Sequence, residues 1–236
     1  MNMPQDRIEK DILIGRGKVA KVYKIKGKPH YLVRKEFSPI YPVRLWNWFF
    51  YKSLHPLATE VGHKYAYWKR RLAHRLCKYL DSDVHITDAL QLSQKGFTSL
   101  FINGKPPARR KKRALHANVK KLEDFFDYIG MPTWSFSRKN PFSRSNFLIR
   151  DGTIYIIDYE QSVPVPDSRG RIDYDTIYFD DAHNFINDNA QKILDKLGAD
   201  GIRDLKEAFQ MSMKCHAQLD LRPKRTAKFV NRRKKF

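Results

Sequence analysis

The stretch Asn146-Phe-Leu-Ile-Arg-Asp-Gly-Thr-Ile-Tyr-Ile-Ile-Asp158 contains two short apolar runs separated by an Asp-Gly pair. Asp-Gly between apolar runs is the strongest short-range signal of a β-hairpin. A tight hairpin brings its open ends together, so the Asn146 amide and the Asp158 carboxylate are expected to lie near each other. Oxygen ligands of this kind suit Mg²⁺, which takes few protein ligands and keeps waters and substrate phosphates. An ordinary hairpin with a polar residue at each end is the simpler interpretation of this stretch alone. A second motif elsewhere in the chain, of a type that binds phosphate, decides against it.

That second signal is a glycine-containing turn near the N-terminus. Residues 12–22 read Ile-Leu-Ile-Gly15-Arg-Gly17-Lys-Val-Ala20-Lys-Val22, and the next predicted strand carries Lys35. Glycine allows the backbone to approach a phosphate closely, and the Lys35 ammonium can reach phosphates beneath such a turn. Two glycines in a turn are common. The order strand, Gly-x-Gly-x-x-Ala-x-Val, strand, turn and Val-x-Lys is considerably more specific.

These residues, together with the hairpin, resemble the motifs of the protein-kinase-like superfamily, in the compact form of bacterial small-molecule, sugar and lipopolysaccharide-core kinases. The resemblance covers about Ile12 to Glu160. It implies an α+β, bilobal fold with a small antiparallel-sheet N-lobe and a mainly helical C-lobe. It also implies that ATP and Mg²⁺ are the cofactors. The nucleotide-binding residues would be Gly15, Gly17, Ala20, Val22 and Lys35, and the metal ligands would be Asn146 and Asp158.

The residues from Ala58 to Leu80 have apolar side chains at a spacing of three to four, which predicts an amphipathic helix with one buried stripe. Glu60 opens this helix. It resembles the helix glutamate that pairs with the strand lysine in kinases, which would give it a role beside Lys35. A first-turn glutamate that complements the helix dipole is the alternative. The sequence leaves both interpretations open.

The segment before Asn146 departs from the kinase pattern. Kinases carry an aspartate five residues before the metal-binding asparagine, and that aspartate accepts the proton of the attacking hydroxyl. In this chain Pro141 occupies that position and cannot accept a proton. Its neighbour Asn140 is the nearest candidate for the role, but an amide is not a base at neutral pH. Loss of the base costs on the order of 10² to 10⁴ in rate, and Arg144 is a candidate for partial compensation by charge. The alternatives are therefore a phosphotransferase and a pseudokinase that serves as a binding or regulatory module.

The net charge of +21, from 46 Lys and Arg against 25 Asp and Glu, predicts a polyanionic partner. The run Arg109–Arg113 is expected at the mouth of the active site, where it would hold an anionic or phosphorylated substrate. The aromatic segment 41–52 fits either a membrane headgroup interface or the core. The basic tail 221–236 fits an anchor on an anionic membrane or a nucleic-acid arm. A basic nucleic-acid-binding protein is a further alternative, weakened because no recognition motif accompanies the charge.

The predicted organisation follows from these motifs. Residues 1–103 form the N-lobe with the glycine-rich loop and a helical insertion, 104–220 the helical C-lobe with the metal hairpin, and 221–236 a disordered tail. The segments Val84–Leu92 and Phe97–Ile102 are expected to complete the N-lobe sheet, and Asn103–Pro107 to form the hinge between the lobes. The absence of a CxxC pair and of a long apolar run predicts a cytoplasmic protein, with peripheral contact at the inner membrane face.

Overall fold

Three antiparallel strands begin the fold. The computed structural model describes residues 11–16, 20–25, 32–37, 59–108, 112–138, 140, 143–159, 165–166, 172–173 and 179–218. The first strands are β1 (Ile12–Arg16), β2 (Ala20–Ile25) and β3 (Leu32–Phe37). Strands β5 (Ala89–Ser93) and β6 (Gly96–Leu100) complete a five-stranded sheet, here called the N-terminal sheet, in the order β1-β2-β3-β6-β5. All its neighbouring strands are antiparallel.

The register of the N-terminal sheet places three of the predicted nucleotide-binding residues in one row. Gly15 lies opposite Val22, Val22 opposite Lys35, and Lys35 opposite Phe97. Residues directly opposite each other in an antiparallel pair project from the same face. A Cβ added to Gly15 would lie 3.7 Å from the Val22 Cβ, in agreement with that placement. One face of the sheet thus carries the whole row.

Helix α1 (Glu60–Leu80) packs beneath this sheet and extends beyond it. It begins where Thr59 Oγ1 accepts a hydrogen bond from the Gly62 backbone N–H at 3.0 Å, a standard N-cap contact. It ends at Asp81, whose φ is 52°. The helix confirms the one predicted from the apolar spacing.

The predicted hairpin forms as expected. A short 3₁₀-helix (Ser143–Asn146) leads into β7 (Phe147–Arg150), which pairs with β8 (Thr153–Ile156). The turn residues Asp151 and Gly152 have φ values of 51° and 81°. Positive φ at both turn residues is the requirement of a type I′ turn and explains the Asp-Gly pair.

Strand β4 (Val84–Ile86) corrects one prediction, because it does not join the N-terminal sheet. It pairs in parallel with β8, with Val84 opposite Ile154, and completes a three-stranded sheet in the order β4-β8-β7. Val84 and Ile86 are buried, and an apolar run of this length does not reveal which sheet will bury it. Strand β4 belongs to the first 103 residues, yet this pairing places it beside the hairpin that leads to Asp158.

The C-terminal part is mainly helical, as predicted. Helix α2 (Lys112–Tyr128) precedes the hairpin, and α3 (Phe179–Asp188) and α4 (Ala190–Gln218) follow it. Between them, β9 (Val165–Pro166) and β10 (Ile172–Asp173) form a small antiparallel pair. Gly198 interrupts α4 with a non-helical φ of 73°. Among the described residues, no helix is long and apolar enough to cross a membrane.

Two hydrophobic clusters divide the core, and α1 contributes to both. The smaller lies beneath the N-terminal sheet and consists of Ala20, Phe37, Ala66, Tyr67, Ala89 and Phe97. The larger joins α1, α2, α3, α4 and the hairpin, and includes Leu72, Leu76, Phe126, Phe147, Ile156 and Tyr159. An antiparallel sheet followed by a mainly helical part is the α+β arrangement that the sequence predicts. Helix α1 contributes to both clusters and thereby links the two halves of the molecule.

Candidate nucleotide and metal site

A salt bridge joins the two halves of the molecule at the predicted site. Lys35 Nζ donates to Asp158 Oδ1 at 2.7 Å, across 123 positions of sequence. Lys35 is only 8% exposed, and the Asp158 side chain is 24% exposed. The lysine comes from the centre of the N-terminal sheet, and the aspartate follows β8 at the open end of the hairpin. The structure therefore brings the predicted nucleotide lysine and metal carboxylate into direct contact.

Asn146 lies at the same end of the hairpin as Asp158. Its backbone carbonyl accepts a hydrogen bond from Ile157 N at 2.8 Å, which extends the ladder by one residue beyond β7 and β8. Its side-chain Nδ2 donates to the Ser135 carbonyl at 2.6 Å. A carbonyl oxygen can only accept, so this bond fixes the amide orientation and turns Oδ1 toward Ser145, whose Oγ lies 3.3 Å away.

The donor set at this end of the hairpin is small and hard. It consists of the Asp158 carboxylate and the Asn146 amide oxygen. Within the described part of the chain, no group of three or more His, Cys, Asp or Glu side chains could hold a metal ion. Mg²⁺ needs only one or two protein oxygens when substrate phosphates and water fill its other positions. The two residues fit a magnesium ion that arrives with a nucleotide, rather than one held by protein ligands alone.

The remaining nucleotide-binding candidates lie on the N-terminal sheet. Val22 is half-buried on the same face as Lys35, and Val33, two residues before Lys35, shares that face as well. Ala20 is buried and lies opposite Phe37, within the smaller core cluster. Gly15 closes the row on β1. Gly17 lies outside the described residues.

Glu60 does not take the position that the kinase resemblance suggested. Its side chain is 75% exposed and accepts a hydrogen bond from Lys64 Nζ at 2.7 Å, one turn along the helix. This contact lowers the pKa of Glu60 and raises that of Lys64. The Lys35 ammonium instead lies against Asp158. The position of Glu60 matches the alternative interpretation, a first-turn glutamate at the positive end of the helix dipole.

Replacement of Glu60 by glutamine is therefore expected to leave nucleotide affinity within experimental error of the wild-type value. The reason is that the exposed Glu60–Lys64 pair does not contact Lys35 or Asp158. Calorimetric titration of both proteins with ADP and Mg²⁺ measures the effect. A loss of affinity as large as that caused by removing the Lys35 ammonium would reinstate Glu60 as its partner.

His63, one turn into α1, occupies the space beneath β3. Its ring stacks on Phe37 with centroids 5.6 Å apart, and its Nδ1 lies 3.2 Å from the Gln94 carbonyl oxygen. Burial lowers the pKa of His63, so the neutral imidazole is favoured. Because a carbonyl accepts, neutral His63 carries its proton on Nδ1. The helix thus presents a neutral donor and an aromatic ring to this part of the sheet.

The loop before Asn146 contains the candidates for the chemistry of transfer. Asn140 is only 3% exposed, and its Nδ2 donates to the Trp134 carbonyl at 3.0 Å, which fixes its amide. Arg144 is half-buried and donates from Nε to the Pro107 carbonyl at 2.5 Å. Arg144 thereby connects the loop to the predicted hinge. Pro141 lies outside the described residues.

The predicted hinge is bonded to the hairpin. Lys105 N donates to Ile149 O at 3.0 Å, and Ile149 N donates to Lys105 O at 2.9 Å. A Cβ on Gly104 would lie 2.9 Å from the Ile149 carbonyl oxygen, so glycine is needed for this approach. Both backbone groups of Lys105 are occupied by the hairpin. An adenine that uses hinge backbone groups would therefore rely on residues before Gly104.

Two buried cations of α1 were not identified from the sequence. Lys69 is fully buried and Arg70 is 2% exposed, and both lie against the segment that contains Asp158. A signal for them existed. Lys69 falls within the apolar stripe of α1, while Arg70 has the small residues Ala66 and Ala73 four positions before it and three after it. Small neighbours on the same helix face leave room for a buried guanidinium.

Comparisons with known proteins find only distant structural likeness. No protein-family model matches the sequence, and no curated protein matches it. Among solved structures, the chain is similar to the Rio2 kinase–ADP/Mg²⁺–phosphoaspartate complex from Chaetomium thermophilum, with 15% identity and a TM-score of 0.41 over 87% of this chain and 70% of that one. It is also similar to the streptomycin–ATP–APH(2")-IIa ternary complex, with 11% identity and a TM-score of 0.36 over 91% of this chain and 92% of that one. Both TM-scores are low, so function is inferred below from the residues of this chain.

Proposed function

We propose that this protein is an ATP-dependent phosphotransferase of the kinase type that acts on a sugar, a lipopolysaccharide core or another anionic substrate. The observation that carries the proposal is the contact between Lys35 and Asp158, whose side-chain atoms lie 2.7 Å apart and which come from the two halves of the molecule. Buried salt bridges are weak evidence for stability, because desolvation offsets much of the attraction. A largely buried cation paired with a partly exposed carboxylate fits a site that handles charged ligands.

The surroundings of this pair support nucleotide binding. The row from Gly15 through Val22 to Lys35 provides a close-approach glycine, an apolar contact and an ammonium on one face of the sheet. Opposite it, Asn146 and Asp158 provide two oxygen ligands at one end of the hairpin. Mg²⁺ bound there would neutralise phosphate charge during transfer, which is the main demand of phosphoryl-transfer catalysis. Lys35 would hold the phosphates, and Asp158 and Asn146 would hold the ion.

Nucleotide binding with and without Mg²⁺, followed by ATP turnover, tests the proposal most directly. ADP and ATP are expected to bind more tightly when Mg²⁺ is present, because Asp158 would hold an ion that neutralises part of the phosphate charge. Turnover is measured with sugars, lipopolysaccharide-core fragments and phosphorylated small molecules as acceptors. Absence of any nucleotide binding by the folded wild-type protein would refute the proposal.

A pseudokinase is the second candidate, because Pro141 stands at the position of the usual base and the nearest alternative is its neighbour Asn140. The Asn140 amide is buried and fixed by the Trp134 carbonyl, and an amide accepts no proton at neutral pH. Mg²⁺-dependent nucleotide binding without turnover toward any acceptor would favour this candidate. Slow turnover that rises when Asn140 is replaced by aspartate would favour an enzyme that operates without the usual base.

The anionic substrate is proposed from charge. The basic run Arg109–Arg113 follows the predicted hinge closely in sequence, and its last two residues begin α2. The side chains of the run lie outside the described residues. Arg144, held at the Pro107 carbonyl, adds a cation between the loop and the hinge. Binding of an anionic acceptor to such a surface should weaken steeply as salt is raised.

Deletion of residues 222–236 is expected to release the protein from anionic vesicles. The tail lies outside the described residues; its sequence is rich in Lys and Arg, and each such residue near an anionic surface contributes about 1 kcal/mol. Sedimentation with vesicles of phosphatidylglycerol and phosphatidylcholine at two salt concentrations measures the effect. Equal partitioning of the truncated and full-length proteins onto the vesicles would show that the tail has no role in membrane binding. Binding of the full-length protein to DNA would favour the nucleic-acid alternative.

A further inference from the structure

Arg70 connects α1 to the residue immediately before Asp158. Its Nη2 donates to the Ile157 carbonyl at 2.8 Å, and its Nε donates to the Thr87 carbonyl at 2.7 Å. Nη2 also donates to Thr87 Oγ1. Arg70 is 2% exposed, and its guanidinium lies over the Phe97 ring, 5.4 Å from the centroid. A planar guanidinium can hold several acceptors in fixed directions, which a lysine cannot do.

Thr87 extends this connection along the strand that leads to Asp158. Its hydroxyl accepts from Arg70 and donates to the Ile156 carbonyl at 3.3 Å, while its backbone N–H donates to the same carbonyl at 3.1 Å. Two successive carbonyls, those of Ile156 and Ile157, are thus bonded to one buried group of side chains. These bonds fix the orientation of the backbone immediately before Asp158.

Tyr159 fixes the other side of Asp158. It is fully buried, its Oη donates to the Pro132 carbonyl at 2.9 Å, and its own carbonyl accepts from Ser135 Oγ at 3.2 Å. The ammonium of Lys69, the neighbour of Arg70 on α1, lies 5.3 Å from the centre of the Tyr159 ring. Adjacent cations of one helix therefore contact the two residues that flank Asp158.

We infer that Arg70 is a positioning residue, which couples helix α1 to Asp158 and so sets the contact between Asp158 and Lys35; the inference rests on the proposed function for its consequences in nucleotide binding. Glu60 is exposed and does not make this connection. A shift of α1 away from the hairpin would break the bonds of Arg70 to Thr87 and Ile157. The side chain of Asp158 would then lose its defined direction, while its chemical identity remained unchanged.

The test uses Arg70→Lys, Arg70→Met and Thr87→Val, with Arg75→Lys as a matched control. Arg75 lies on the same helix; its Nη2 pairs with Asp204 Oδ2 at 2.9 Å and lies 3.7 Å from Asp88 Oδ2. The first measurement needs no nucleotide. The protein is treated with acetic anhydride, and acetylation of Lys35 is followed by peptide mass spectrometry, with Asp158→Asn as the reference for a released lysine. Thermal unfolding of every variant is recorded in parallel.

Acetylation of Lys35 is expected to rise severalfold in the Arg70 variants and in Thr87→Val, and to stay at the wild-type level in Arg75→Lys. In the second measurement, the affinity for ADP with Mg²⁺ should fall about 10- to 100-fold in the Arg70 variants, as found for groups that orient metal ligands, with little change in the affinity for ADP alone. A lower unfolding temperature without a change in either measurement would overturn the inference, since it would indicate structural support only.

The two proposals fail in different ways. If the wild-type protein binds no nucleotide but Lys35 acetylation rises in the Arg70 variants, the proposed function is wrong and the positioning role of Arg70 stands. If nucleotide binds and neither Arg70→Lys nor Thr87→Val affects Lys35 acetylation or the Mg²⁺ dependence, the positioning role is wrong. Should Arg70→Met fail to fold, the lysine and valine variants decide the result.

Discussion

Asp158→Asn is expected to abolish the Mg²⁺-dependent part of nucleotide binding and to reduce any turnover by about 10² to 10³-fold, the range for loss of one preorganised electrostatic group. Of the two proposed metal ligands, Asp158 is the charged one, and it also pairs with Lys35. Asparagine keeps the shape and one oxygen but loses the charge that attracts the dication. Titration of ADP affinity against Mg²⁺ measures the effect.

Asn146→Ala should weaken the metal dependence less. Asn146 contributes a carbonyl dipole rather than a charge, and water can replace one neutral oxygen ligand of Mg²⁺. Asp151→Asn is the matched control, because it makes the same chemical change at the opposite end of the same hairpin, where the side chain is 85% exposed. If nucleotide binding by Asp158→Asn kept its full dependence on Mg²⁺, the metal would have to bind elsewhere. The kinase interpretation would then lose its central residue. Glu160, a weaker candidate for a further carboxylate ligand, lies outside the described residues.

Lys35→Met is expected to reduce turnover by about 10² to 10³-fold and to weaken the binding of ATP. Two physical effects combine. The ammonium that would hold the phosphates is lost, and the Asp158 carboxylate loses the partner that defines its direction at 2.7 Å. Affinity for ADP with Mg²⁺ and the rate of ATP hydrolysis in the same variant separate binding from chemistry.

Lys21→Met provides the control for Lys35. Lys21 lies on β2 opposite Glu36, next to Val22 in sequence and therefore on the other face of the sheet. The same loss of a lysine there should leave nucleotide binding unchanged. Equal activity and affinity in Lys35→Met and the wild type would exclude Lys35 from the proposed nucleotide site.

The sequence predicted the local elements because each depends on neighbouring residues. The Asp-Gly turn requires two residues with positive φ, which Asp151 and Gly152 provide, so the hairpin is specified within residues 146–158. The spacing of apolar residues specified helix α1 in the same way. The antiparallel order of β1, β2 and β3 agrees with the small antiparallel sheet that the kinase resemblance implied, because short connections favour antiparallel neighbours.

Partners that are far apart in sequence were predicted less well. Strand β4 was assigned to the N-terminal sheet, yet it pairs with β8, about 70 residues later, since either location would bury its apolar side chains. Glu60 was a candidate partner of Lys35, but the rotation of α1 about its axis exposes Glu60 and buries Arg70. That rotation depends on the packing of α1 against the N-terminal sheet on one side and α4 on the other.

The sequence by itself determined the hairpin with Asn146 and Asp158 at its open end and the glycine-containing strands, and it identified Lys35 as the candidate phosphate-binding lysine. Only the tertiary structure decided that Lys35 meets Asp158 and that Arg70 supports the peptide before it. The physical reason is that hydrogen-bond ladders and turn geometry act over a few residues. A contact across 123 positions depends instead on how helix α1 packs between the two halves of the core.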